Sequence, residues 1–504
     1  MTTASAVSIP DVGTIRVEPY REVCLVPLFR TVWQMPLRFT LLSLVLLVPC
    51  LWQPHIAAGD LASHAYNAWL VQLIHARKAS GLYLTSPSTN VLFDYLLDGL
   101  TPAIGAEGAQ RAAVAVAVLM FFWSAFALTS VITKRLPWVV TPMLAILAYG
   151  TVFNMGLFNY YVGGALSLAA LAVLWNATFW DVAIALLLLV LAWLAQPLPV
   201  LWAIAIFVYV SVARARGPRF RLVLPAACIG ALWLGRQFLL RYWVASWDWR
   251  QGMHATGADQ SYMFGSHYRL ISLAVAVVWA AVFLHLAREQ GWIALLRSIP
   301  AQVYVLCVLG CLLLPYTILF PWYKAAFGGV PERVAWLAAV FMCALVVQVK
   351  TARRYGLVFS VIAIVYFLFL YSDARAINQL EHRVDTLIST LPPDQRVIGQ
   401  LRYPASSGFD ESMLLDRACI GKCFSFGNYE AATEQFRVHA SPGNSIVAWA
   451  TGSSPSQNRA VSKAQQFFAS QPEGTLYFIH RCGNVVTEVC MQRLTARDLD
   501  ALTK

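Results

Sequence analysis

Charged side chains are scarce in this chain. Only 12% of its 504 residues are Asp, Glu, Lys or Arg, about half the share found in soluble domains, which excludes an ordinary water-soluble enzyme. The formal net charge of +12 does not indicate nucleic-acid binding, because the basic residues cluster in short loops between apolar runs, as the positive-inside rule requires. The chain has no P-loop, dinucleotide fingerprint, nucleophile elbow or zinc-protease helix, so the chemistries those motifs carry have no anchor here. It also lacks internal repeats and low-complexity segments, so the inverted-repeat plan of many transporters is not favoured. No small-residue cleavage site follows the first apolar run at Leu37, and that run is expected to be retained as a span.

What is abundant is apolar sequence. Hydrophobic residues make up 59% of the chain, and the mean hydropathy is +0.61. Runs of membrane length predict 11 spans near 37–53, 110–131, 138–154, 157–176, 179–195, 198–213, 220–240, 269–287, 301–320, 332–349 and 355–371. Arg30 and Arg38, Lys134 and Arg135, the arginines at 214, 216, 219 and 221, Arg288 and Arg297, and Lys350, Arg353 and Arg354 all fall on one side of this plan. The turns near 155 and 196, on the other side, hold no Lys or Arg. The expected topology is a cytoplasmic N-terminal tail (1–36), a transmembrane domain (37–372) and an extracytoplasmic domain (373–504) in the cytoplasmic (inner) membrane. The fold class expected is thus a mainly α polytopic membrane protein with a small C-terminal α/β domain on the outer, periplasmic side.

Two outer loops stand out within the membrane domain, 54–109 and 241–268. The first begins with a predicted helix over 60–79, and a second short helix covers Val91–Leu100. In the tail, helix-like Ala374–Leu391 and Ser456–Phe468 alternate with strand-like Val397–Leu401, Phe436–His439, Ile446–Trp449 and Leu476–His480. Six of the ten cysteines (Cys24, Cys50, Cys228, Cys307, Cys311 and Cys343) lie in the N-terminal tail or in apolar runs and read as small hydrophobes. The other four form two close pairs, Cys419/Cys423 and Cys482/Cys490. An even set confined to an external domain suggests disulfides, and the gaps do not match zinc-ligand spacing.

The densest polar sequence beside a span is Gly59–Trp69, just after span 1. On a helix Asp60, His64 and Asn67 fall at i, i+4 and i+7 and share a face, and polar groups gathered beside lipid are usually functional. Asp60 suits a general base acting on an acceptor hydroxyl, and it also suits a helix cap at Leu61. His64 can orient Asp60 or meet a phosphate, or it is an interfacial imidazole without a task. Asn67 has structural hydrogen bonding as its default. A second group lies between spans 9 and 10, with Lys324 and, at the head of an apolar helix, Arg333. A guanidinium there fits phosphate; the alternatives are an ion pair with Glu332 or snorkelling to the interface. Phe158–Tyr161, including Tyr160, and the Gln196-Pro197-Leu198-Pro199 turn can line the same outer cavity. Asp248, His254, Asp259 and His267 of the 241–268 loop show no ligand geometry for a metal.

An acidic residue just outside span 1, an amphipathic segment after it, 11 spans and a soluble C-terminal domain together resemble the GT-C superfamily of integral-membrane glycosyltransferases. Gly59–Leu70, Phe158–Tyr161 and Asp416–Cys423 look like stretches of uncharacterised bacterial membrane proteins of that type. The resemblance implies an inverting transferase that takes a polyprenyl-phosphate sugar at the outer face, with Asp60 as base. It further implies that Arg333 is a phosphate contact, with His64 and Lys324 as further candidates, and that the acceptor is a glycan, lipid or protein. The partners implied are membrane lipids and the lipid-linked donor, with no nucleic acid and no further cofactor. The family's first loop often carries two acidic residues, whereas Asp60 stands alone between Gly59 and Leu61, which weighs against a metal-assisted mechanism. The competing classes are a transporter or flippase of a lipid-linked saccharide and a non-catalytic envelope-assembly protein. Nearly charge-free mid-span regions favour outer-face chemistry over passage.

Overall fold

A computed structural model describes residues 35–176, 179–217, 220–321, 327–401, 413–449, 459–483 and 488–498. Lys324 and Cys24, like Arg30 and Arg219 of the basic loops, lie outside the described residues. Each of the 11 apolar runs carries helix. Six of these helices are long and apolar enough to cross a membrane: Leu92–Thr133, Pro197–Ala215, Phe220–Tyr242, Tyr268–Gln290, Val330–Gln348 and Ala352–Ile388. The runs at Pro36–Leu51, Trp138–Asn154, Phe158–Leu174, Trp180–Ala195 and Ile299–Leu313 form shorter apolar helices. The expectation of 11 spans therefore reduces to six helices of membrane length, with five shorter ones beside them.

The Val330–Gln348 helix sits at the centre, with 94% of its most apolar window buried. Its Trp336 stacks on Phe121 at 4.2 Å between ring centroids and lies 5.1 Å from Tyr161. The Phe220–Tyr242 helix, by contrast, buries none of its residues. An apolar helix exposed in this way suits a lipid surround.

Two expected boundaries dissolve. The short Val91–Leu100 helix and the 110–131 span are one helix, Leu92–Thr133, whose course changes at Gly105, just after Pro102. The 355–371 span and the Ala374–Leu391 helix likewise form one helix, Ala352–Ile388, so the 372/373 domain boundary falls inside a continuous helix.

Beyond that helix the described residues hold a four-stranded sheet. In it β5 (Gln395–Gln400) lies between parallel partners β6 (Cys423–Ser425) and β8 (Leu476–Arg481), and β9 (Val489–Leu494) pairs antiparallel with β8. Val397 is in register with Ser425 on one side and Tyr477 on the other. The helix Arg459–Ser470 covers one face through Phe467 and Phe468. Disulfides join Cys419 to Cys423 and Cys482 to Cys490. The segment Ile446–Trp449, expected as a strand, is irregular. The expected Phe436–His439 strand appears as β7 (Val438–Ala440), which pairs antiparallel with β1 (Leu82–Leu84) of the 54–109 loop and not with the four-stranded sheet. Three further short strands, β2 (Val244–Ser246), β3 (Thr317–Leu319) and β4 (Phe327–Gly328), join the 241–268 loop to the segment before the central helix.

The C-terminal region is thereby fastened to the first loop. Tyr66 and Leu70 of the Leu61–His75 helix share a core with Val397, Leu415 and Ile479. The Tyr66 hydroxyl accepts from the Ser425 amide at 2.9 Å. Arg417 pairs with Glu381 at 3.2 Å and donates to the Ile56 carbonyl.

Candidate active-site cleft

Asp60 is held in place by backbone. The Gly59 amide donates to the Asn154 carbonyl at 2.8 Å and the Asp60 amide to that of Met155 at 3.2 Å. This close approach requires Gly156, whose φ is +76° and where a Cβ would lie 2.1 Å from the Asp60 nitrogen. Asp60 occupies the cap position of the Leu61–His75 helix, but its side chain makes no capping hydrogen bond. The capping reading is therefore corrected: the carboxylate turns away from the helix end, and the Tyr429 hydroxyl lies 2.7 Å from each of its oxygens.

One helical turn on, His64 is 3% exposed and lies among three carboxyl groups. Its Nδ1 is 2.7 Å from Asp94 Oδ1 and 3.7 Å from Glu430 Oε1, and its Nε2 is 3.8 Å from Asp60 Oδ2. Burial disfavours charge on the imidazole, but the charge and hydrogen bond of Asp94, joined by Asp60 and Glu430, outweigh it and lift the His64 pKa to about 10. His64 is thus an imidazolium at neutral pH. Burial, with Asp94, Asp60 and Asp416 nearby, raises Glu430 well above the carboxylate range against the opposing pull of His64, leaving Glu430 the member that keeps a proton.

Asn159 fixes Asp94. Its amide nitrogen donates to Asp94 Oδ2 at 2.9 Å and to the Asn90 carbonyl, while its oxygen accepts from the Phe93 amide. Asn67 is placed otherwise. It is buried, donates back to the Ser63 carbonyl and hydroxyl, and does not line the cleft. Behind it a polar seam continues into the C-terminal region, where Asn428 donates to Ser63 Oγ at 2.9 Å and to Asp416 Oδ2 at 3.1 Å. Asp416 also accepts from Ser425. Burial raises its pKa to about 7, opposed by the hydrogen bonds from Ser425 and Asn428.

Asp60, His64 and Tyr429 line a cleft of about 380 Å³ that also receives Arg333, Tyr160 and Gln196. Arg333, in the first turn of the central helix, is 8% exposed. Its guanidinium carbon sits 4.4 Å from the centroid of the Phe327 ring and 5.3 Å from that of Tyr160. Among the described residues its Nε and Nη1 have no hydrogen-bond partner. The Tyr160 hydroxyl donates to the Arg333 carbonyl at 2.8 Å, and Gln196 accepts from the Leu198 amide, capping its helix. Leu198, Leu201 and Phe320 make the cleft apolar near Gln196. The expected Arg333–Glu332 pair is absent among the described residues, because Glu332 faces His254, whose Nε2 is 3.6 Å from its Oε1.

The other loop candidates lie apart from this cleft. His254 pairs with Asp259 at 2.8 Å and His267 with Asp373 at 3.0 Å, and Asp248 accepts from the Arg250 amide. Among the described residues no group of three or more His, Cys, Asp or Glu side chains is arranged to hold a metal ion.

Asp60 is not solitary. The sequence reading missed Asp94, from the same 54–109 loop, and Tyr429 and Glu430, from the C-terminal region. Asp94 showed only as one polar residue of a short helix, and nothing in the local sequence linked positions 429 and 430 to position 60. Comparison with protein-family models, with curated proteins and with solved structures gives no match in any of the three.

Proposed function

We propose that the protein is a membrane glycosyltransferase that uses a polyprenyl-phosphate sugar at the outer face of the membrane and inverts the anomeric centre. The observation that carries this reading is the shared cleft, lined both by the Asp60 carboxylate and by a buried guanidinium whose Nε and Nη1 lack partners among the described residues. A buried cation with unpaired donors is costly unless a ligand completes it, and an arginine fork matches phosphate oxygens. The apolar lining near Gln196 suits the first isoprene units of the donor.

In the proposed reaction an acceptor hydroxyl attacks the anomeric carbon from the face opposite the phosphate, and Asp60 takes its proton. The carbon–oxygen bond to the phosphate breaks, and the bonding pair leaves with the lipid phosphate. Arg333 neutralises the charge that grows on that phosphate in the transition state. The imidazolium of His64, 3.8 Å from Asp60, favours the ionised carboxylate that a base requires. The basic loops support placing this cleft and the C-terminal region outside the cytoplasm.

The test is transfer by membranes carrying the chain, supplied with a panel of polyprenyl-phosphate hexoses and pentoses. Asp60→Asn and Asp60→Ala should lower transfer by about 10²–10⁴-fold, the usual weight of a general base. Undiminished transfer by properly inserted variants removes Asp60 from the reaction.

A further inference from the structure

Tyr429 has no part in the proposed reaction, yet it bonds Asp60 directly from the C-terminal region. Its ring meets Phe436 edge-on at 5.6 Å between centroids, which fixes the direction of its hydroxyl. The hydroxyl oxygen lies 2.7 Å from Asp60 Oδ1 and 2.7 Å from Oδ2, so its single proton is shared between the two. Asn428, the residue before it, is tied to Ser63 on the Leu61–His75 helix and to Asp416. Glu430, the residue after it, reaches His64. Three consecutive residues of the C-terminal region therefore grip the loop that carries Asp60.

We infer that Tyr429 is the positioning residue of Asp60: its hydroxyl donates to the carboxylate, holds it ionised and aims it into the cleft, so that the site is complete only with the C-terminal region docked. This inference rests on the proposed role of Asp60, but its central observable, the protonation of Asp60, is independent of sugar transfer. Other groups also bear on that protonation. His64 favours the anion, whereas Asp94, Glu430 and Asp416 lie on the elements packed around it and interact with the same cluster. Tyr429 itself stays protonated as a donor, since burial and the nearby charge of Asp60 push its phenol well above its ordinary value.

The experiment follows labelling of Asp60 by a water-soluble carbodiimide and an amine nucleophile. The full-length chain is kept in lipid vesicles from pH 4 to pH 9, and modification is read at Asp60 by mass spectrometry. Carbodiimides react with the protonated carboxyl, so the labelling midpoint reports its ionisation. Tyr429→Phe keeps the ring and removes the donor, and should raise the midpoint by about one pH unit, the equivalent of one hydrogen bond to a charged group. Replacement of Tyr429 by 3-fluorotyrosine keeps the shape and strengthens the donor, and should lower the midpoint; it serves should the phenylalanine variant fail to insert. A midpoint that moves with neither variant overturns the inference, whatever transfer does. A midpoint that moves as stated, while Asp60→Asn transfers sugar normally, upholds the positioning and removes the transferase reading instead.

Discussion

At the scale of single residues, Arg333 has the sharpest consequence. A charged guanidinium is buried with two nitrogens unpaired among the described residues, held by the Phe327 and Tyr160 rings. Replacing a buried, incompletely satisfied charge by an apolar side chain of similar volume is often neutral or stabilising. Arg333→Met should therefore keep or raise the thermal midpoint of the purified protein. The same substitution should lower transfer by about 10²–10³-fold, as loss of one transition-state donor does. A variant that loses stability and activity together would mark Arg333 as structural. The sequence exposed this residue because a cation at the head of an otherwise apolar helix has no local reason to be there. It exposed Asp60 and His64 for the same reason, as a polar cluster beside a span. It could not expose Asp94 or Glu430, since an acidic residue on a polar segment looks ordinary until distant chain brings it within 3.7 Å of an imidazole. Asn67 shows the converse. Correct helical spacing placed it one turn beyond His64, but a neighbouring serine claimed its amide.

At the scale of elements, apolar periodicity located the helices well because the lipid and the core impose it residue by residue. What it could not read was where two elements fuse. The Ala352–Ile388 helix runs from apolar to amphipathic sequence without a breaker, so the change in composition looked like a domain boundary. The β1–β7 pairing was equally hidden, since Leu82↔Ala440 spans most of the chain and no local signal encodes a partner so remote. The junction that matters most for the site is the turn at Gly156 against the start of the Leu61–His75 helix. There a Cβ would meet the Asp60 nitrogen at 2.1 Å and its Cα at 2.8 Å, both backbone atoms that cannot swing aside. Gly156→Ala should displace Asp60 by a large fraction of an ångström and lower transfer by about 100-fold, the scale on which a 1 Å misplacement acts. Gly291→Ala is the control, having a similar positive φ of +82° but open space around the new methyl. It should show only the conformational penalty of about 1–3 kcal/mol in thermal unfolding, with transfer retained. Equal loss of transfer in both variants would mean that Gly156 acts through stability alone.

At the scale of the whole molecule, the C-terminal region and the membrane half meet across a seam of buried titratable groups, and that seam should respond to pH in one direction. His64 has its pKa raised from 6.5 to about 10 by Asp94, Asp60 and Glu430 against the opposing effect of burial. Asp416 is raised from 3.8 to about 7 by burial, against hydrogen bonds from Ser425 and Asn428. In both cases the folded state holds its proton more tightly than the unfolded chain, so stability declines as pH rises. The Asp416 contribution is present below about pH 4 and is lost as pH climbs through about 7. The His64 contribution is complete below pH 6.5 and is lost as pH rises through about 10. Thermal unfolding of the chain in lipid nanodiscs, read together with protease release of the C-terminal region, should therefore show docking that weakens steadily from pH 4 to pH 10. His64→Gln should flatten the upper part of that slope, and Asp416→Asn the lower part, each leaving the other in place. Docking that strengthens between pH 6.5 and pH 10 would contradict the proton-sharing arrangement around His64. The same slope bears on function, since Tyr429 enters the cleft from the C-terminal side of this seam. A site assembled across it should lose transfer on the alkaline side as the C-terminal region lets go.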